Sequence, residues 1–108
     1  MGAAEKDPIL TEIVRRLVEA LRPERIYLFG SRARGDAGAD SDYDLMVVVP
    51  HLTELAYRLA QRAYSELWGL STAADILVWS CDAFDGRLHL KASLPATVLR
   101  EGTLLHAA

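Results

Sequence analysis

Residues 25–49 read "RIYLFGSRARGDAGADSDYDLMVVV", two apolar runs with a Gly/Asp-rich segment between them. "RIYLF" (25–29) is short, aromatic and stopped by Gly30, the pattern of a buried strand. "YDLMVVV" (43–49) is a second strand, closed by Pro50. The residues from Ser31 to Asp40 are expected to hold a brief helical turn and then a loop. One feature does not fit a plain strand: Asp42 and Asp44 stand at the mouth of the second apolar run. Burying a carboxylate there without a partner is costly.

The flanking sequence supplies helices. Asp7-Pro8 is a start signal, a capping side chain followed by proline at the first helical position. Ile9, Leu10, Ile13, Val14, Leu17, Val18 and Leu21 then recur at three- and four-residue steps, and Pro23 ends the run. Leu52, Leu55, Ala56, Leu59, Ala60, Ala63 and Leu67 predict a second long amphipathic helix ending near Gly69. "ADILVW" (74–79) reads as a third buried strand. The stretch 81–92 carries no single pattern, although Asp85-Gly86 looks like a turn. Ser93 is placed to cap a helix through Arg100, and "TLLH" is expected to add an edge strand. This order predicts an α/β (α+β) fold, helices packed on a small mixed sheet.

With 108 residues and 51 % hydrophobic content, the chain is expected to form a single domain over 1–108 with a substantial core. Twelve Lys and Arg against fifteen Asp and Glu, a formal charge of −3, argue against binding nucleic acid through its phosphates. Cys81 is the single cysteine, which excludes an internal disulfide and a cysteine zinc cluster and fits a cytoplasmic setting. No apolar run reaches membrane-spanning length and no secretory leader is visible, so no membrane association is expected.

Alternate strand residues share a face, so Asp42 and Asp44 are expected to project together while Tyr43 and Leu45 face the other way. Adjacent carboxylates repel, and a divalent cation removes the repulsion. Hard oxygen ligands suit Mg²⁺, which takes one or two carboxylates and completes its shell with phosphate and water. A bare D-x-D is common by chance, and its plain reading is a loop residue beside a solvated strand end. Gly30-Ser31 adds weight: glycine lets a phosphate approach the backbone, and serine brings a hydroxyl and an amide to a helix start. Asp75 adds more, an acid where the third strand should carry a core residue. Three such acids suit two metals about 3.5–4 Å apart, clamping a phosphoryl group.

The run "GSRARGDAGADSDYDL", with Asp75 and the ending "VLREGTLLH", resembles the DNA polymerase β-like nucleotidyltransferase superfamily, specifically its minimal nucleotidyltransferase (MNT) branch. The resemblance spans about Leu10 to His106. It implies that Asp42 and Asp44 bind two Mg²⁺ ions and that Asp75 binds one of them and deprotonates the attacking hydroxyl. It also implies that Gly30 and Ser31 hold the terminal phosphates of ATP. Arg32 and Arg34 offer donors to the triphosphate, Arg34 being preferred, or are solvated turn arginines. Larger relatives carry an added acceptor domain. Its absence, with the resemblance, implies a hetero-oligomer with a HEPN-domain toxin whose tyrosine receives AMP. Two alternatives stand beside that reading: an antitoxin that neutralises its partner by binding alone, and nucleotidyl transfer to a small molecule such as an aminoglycoside.

Other residues have plainer expectations. His51, His89 and His106 lack ligand spacing and are assigned to the surface or its margin. Trp68 and Trp79 are assigned to the core, with a partner interface as the alternative for Trp68. Tyr43 is assigned to packing, and Cys81 to an unreactive position.

Overall fold

The computed structural model describes residues 7–35, 38, 42–70 and 72–108. The first helix, α1 (Pro8–Leu21), is capped by Asp7, whose Oδ1 accepts from the N–H groups of Ile9 and Leu10 at 3.1 Å each. Its stripe of Leu10, Ile13 and Leu17 is buried, and Arg22 closes it in the left-handed region at φ 47°. Strand β1 (Arg25–Phe29) leads directly into the short α2 (Gly30–Arg34). Strand β2 (Tyr43–Val49) follows, then α3 (Ala56–Glu66), β3 (Ala74–Ser80), α4 (Cys81–Asp85), α5 (Leu94–Glu101) and β4 (Thr103–Ala107).

The four strands form one sheet in the order β3-β2-β1-β4. β1 runs antiparallel to β2 and β4, whereas β2 and β3 are parallel, joined through α3. The sheet is therefore mixed, as expected. β2 is buried from Leu45 to Val49 because both faces are covered. Leu45, Val47 and Val49 pack with Leu10, Ile13 and Leu17 of α1 and Leu59 and Ala63 of α3. Met46 and Val48 pack with Phe84 of α4 and Val98 of α5. A strand covered on both sides reads as an unbroken apolar run, which is why "LMVVV" shows no alternation.

The structure departs from the expected elements in three places. Leu52 and Leu55 keep the helical spacing but precede α3; Leu55 is its N-cap, extended and 61 % exposed. Spacing alone cannot separate a helix from an apolar residue just ahead of it. Trp68 is 88 % exposed rather than buried. Leu59, Ala63 and Leu67 carry the buried stripe, and the residue after Leu67 points roughly 100° away from it. Finally, the unassigned stretch after Ser80 contains α4, started by a hydrogen bond from Ala83 N–H to Ser80 Oγ at 3.1 Å. Trp79 is half-buried against the second cluster.

α5 is capped by Ser93, which accepts from Ala96 N–H at 3.2 Å. It ends at Gly102, where the backbone lies against β1. A Cβ there would overlap the carbonyl oxygen of Val98 and sit 2.7 Å from that of Leu28. Glycine-to-alanine changes at unstrained sites stabilise slightly, but Gly102→Ala is expected to destabilise the fold by about 1–3 kcal/mol, measured by urea unfolding.

Candidate active site

The parallel pairing of β2 and β3 places Asp44 directly opposite Asp75. Residues in register on parallel strands point to one side, so both acids stand on the sheet face that further along carries Met46 and Val48. The Asp44 and Asp75 carboxyl groups lie close enough for the charge of Asp75 to act on Asp44. Asp42 lies one residue ahead of β2, exposed, and acts on Asp44 through its charge. Burial, then repulsion from Asp75 and Asp42, raise the Asp44 pKa above the ordinary carboxyl range; the charge of Arg34 offsets part of this.

Gly30 completes the centre from the neighbouring strand. Phe29 pairs with Asp44 across β1 and β2, so the next residue turns beside the acid. Gly30 has φ +73°, and a Cβ on it would overlap Asp44 Oδ2. Glycine is thus needed twice over, for the left-handed backbone and for the contact. Ser31 follows in α2, half-buried, its carbonyl accepting from Gly35 N–H. Arg34, at the end of α2, approaches Glu101 of α5 at 3.8 Å.

The structure thus brings Gly30, Asp44 and Asp75 together, with Asp42 and Arg34 acting on Asp44 through charge. Among the described residues, no three His, Cys, Asp or Glu side chains form a ready-made metal cage. Carboxylates without a cation repel, and here Asp75 and Asp42 both make Asp44 harder to ionise. The donor set fits Mg²⁺ all the same: oxygen ligands only, an acid whose proton affinity is raised by burial and by neighbouring negative charge, and a backbone stripped of its Cβ beside it.

Three supporting residues carry no signal in the linear pattern. Tyr43 hydroxyl donates to Asp7 Oδ2 at 2.5 Å. Tyr64 hydroxyl accepts from the N–H of Ile76, next to Asp75, at 2.8 Å, tying α3 to the edge strand. Glu101 meets Arg34. Each bonds to a partner remote in sequence.

The family model for the nucleotidyltransferase domain matches residues 9–94, and the chain belongs to that family. It is accordingly a nucleotidyltransferase. No curated protein matches the chain significantly. Among solved structures, a Sulfolobus solfataricus protein assigned to the nucleotidyltransferases is 28 % identical, with TM-score 0.57 over 73 % of this chain and 70 % of that one. A toxin–antitoxin complex with AMP-PNP shares the fold at TM-score 0.60 and 24 % identity, covering 91 % of this chain and 73 % of its own. An MntA–HpeT toxin–antitoxin pair with two aspartates changed to glutamate does so at TM-score 0.58 and 20 % identity, over 91 % and 73 %.

Two outcomes follow from this geometry. Gly30→Ala displaces the Asp44 carboxylate and is expected to lower nucleotidyl transfer at least about a hundredfold, read by release of pyrophosphate. The second concerns stability. Asp44 holds its proton more tightly folded than unfolded, so the folded state loses stability as pH rises from the ordinary value of 3.8 through the raised one. The deficit is complete above that window. Asp44→Asn should therefore raise the thermal midpoint of the metal-free protein at about pH 7, the gain fading as pH falls to about 3.

Proposed function

We propose that the chain is a Mg²⁺-dependent adenylyltransferase that moves AMP from ATP to a tyrosine hydroxyl of a HEPN toxin and thereby acts as its antitoxin. The observation that carries this reading is the register of Asp44 against Asp75, with the Cβ-free backbone of Gly30 pressed onto Asp44. Asp42 and Asp44 would hold two ions and Asp75 one of them, neutralising triphosphate charge. Gly30 and Ser31 hold the terminal phosphates through backbone and hydroxyl groups. Arg34 adds positive charge beside Asp44.

Asp75 accepts the proton of the acceptor hydroxyl. That oxygen forms a bond to the α-phosphorus, the bond from the α-phosphorus to the bridging oxygen breaks, and pyrophosphate leaves. Acid–base help of this kind contributes about 10²–10⁴-fold, positioning and charge the remainder. The toxin–antitoxin and AMP-PNP neighbours support both partner class and nucleotide. Leu55, Tyr57 and Trp68, all more than half exposed, support a protein partner over a free-standing chain. No helix among the described residues is long and apolar enough to cross a membrane, and the free thiol of Cys81 suits a reducing cytoplasm.

The test is transfer of label from [α-³²P]ATP to the cognate toxin with Mg²⁺. The combined variant Asp42→Asn with Asp44→Asn is expected to lower transfer at least about a thousandfold. Equal labelling by that variant would overturn the assignment of transfer to these acids, and full rescue of cells from the toxin by it would favour neutralisation by binding.

A further inference from the structure

We propose that Tyr43 is a positioning residue: a clamp of Asp7, Tyr43 and Arg32 fixes the Asp42–Asp44 segment against the Gly30–Arg34 turn. The proposal rests on the site assigned above and adds the device that holds it in place.

Tyr43 lies between the two acids but faces the opposite side of the sheet, 3 % exposed, within the cluster formed with α1 and α3. Its hydroxyl donates to Asp7 Oδ2 at 2.5 Å. The other oxygen of the same carboxylate caps α1 through Ile9 and Leu10. One side chain thus joins the first turn of α1 to the first residue of β2. The guanidinium of Arg32 lies 4.0 Å from the centre of the Tyr43 ring, a cation–π contact from α2. Arg32 directly follows Ser31, so the contact ties the phosphate turn to the same ring.

Packing alone would require only an aromatic ring. Here the hydroxyl is used as well, donating to the Asp7 carboxylate. The same bond, with those from Leu10 and Ile9, holds the Asp7 carboxyl below its ordinary value despite burial, so it stays an anionic acceptor. Successive strand residues point to opposite faces, so fixing Tyr43 on one side sets the direction of Asp44 on the other, and holds the backbone from which Asp42 leads into the strand.

The experiment compares the parent chain with Tyr43→Phe, Asp7→Ser and Asp44→Asn. Serine still caps a helix but has no second oxygen for Tyr43. Mn²⁺ is titrated into each in the presence of a non-hydrolysable ATP analogue, free Mn²⁺ is followed by electron paramagnetic resonance, and thermal midpoints are recorded in parallel. Tyr43→Phe and Asp7→Ser are each expected to weaken Mn²⁺ binding about tenfold, with the double variant little weaker than either single, as for two members of one bond. The Mg²⁺ needed for half-maximal transfer should rise by the same factor, with KM for ATP changing less than about twofold. A Mn²⁺ affinity within about twofold of the parent in folded Tyr43→Phe or Asp7→Ser overturns the clamp while leaving the site intact. Undiminished Mn²⁺ binding by Asp44→Asn shows that the site itself is misplaced, and the clamp falls with it.

Discussion

Asp44 and Asp75 face each other across two parallel strands, and like charges at that spacing need either a proton or a cation between them. Much of the surrounding structure serves to hold that unfavourable pair in place. β2 cannot shift along its neighbours, because a slip by one residue would turn Leu45, Val47 and Val49 out of the α1–α3 core. β3 is held by β2 on one side and by the Tyr64 hydroxyl on Ile76 N–H at the other. A soft scaffold would let the acids move apart and so discharge their mutual repulsion.

The two apolar clusters divide the work. The larger, beneath α1 and α3, includes Tyr43 and extends to the mouth of β2. The smaller, built on Phe84 and Val98, anchors α4 and α5 to the opposite face, leaving the Asp44 and Asp75 end open. A stacked pair of Tyr27 and Phe84, ring centres 5.5 Å apart, and the guanidinium of Arg25 over Phe84 extend that second layer toward the end of the sheet away from the acids. The site therefore lies where core gives way to solvent, Asp44 half-buried and Asp75 exposed. This matches nucleotidyl transfer, in which the protein mostly positions groups and neutralises charge.

Much of this was legible in the chain. Strands β1 and β2 fall on the two apolar runs, and α1 and α5 start at the capping residues Asp7 and Ser93. Asp44 and Asp75 stood out as acids where strands should carry core residues, and Asp42, Gly30 and Ser31 stood out by their spacing to them. Trp68 and the start of α3 were not legible, since the same spacing serves both a buried stripe and an apolar residue just outside it.

The sequence by itself determined the periodicities, the caps and the presence of acids at strand mouths, all of which depend on residues within a turn or two of one another. Only the tertiary structure decided that Asp75 meets Asp44 rather than a neighbour one position along, that Gly30 lies against the same carboxylate, and that Tyr43 reaches Asp7. These contacts join segments separated by whole elements. Their partners are chosen by how α1 and α3 pack on the sheet, and no local pattern encodes a register set by the filling of a distant core.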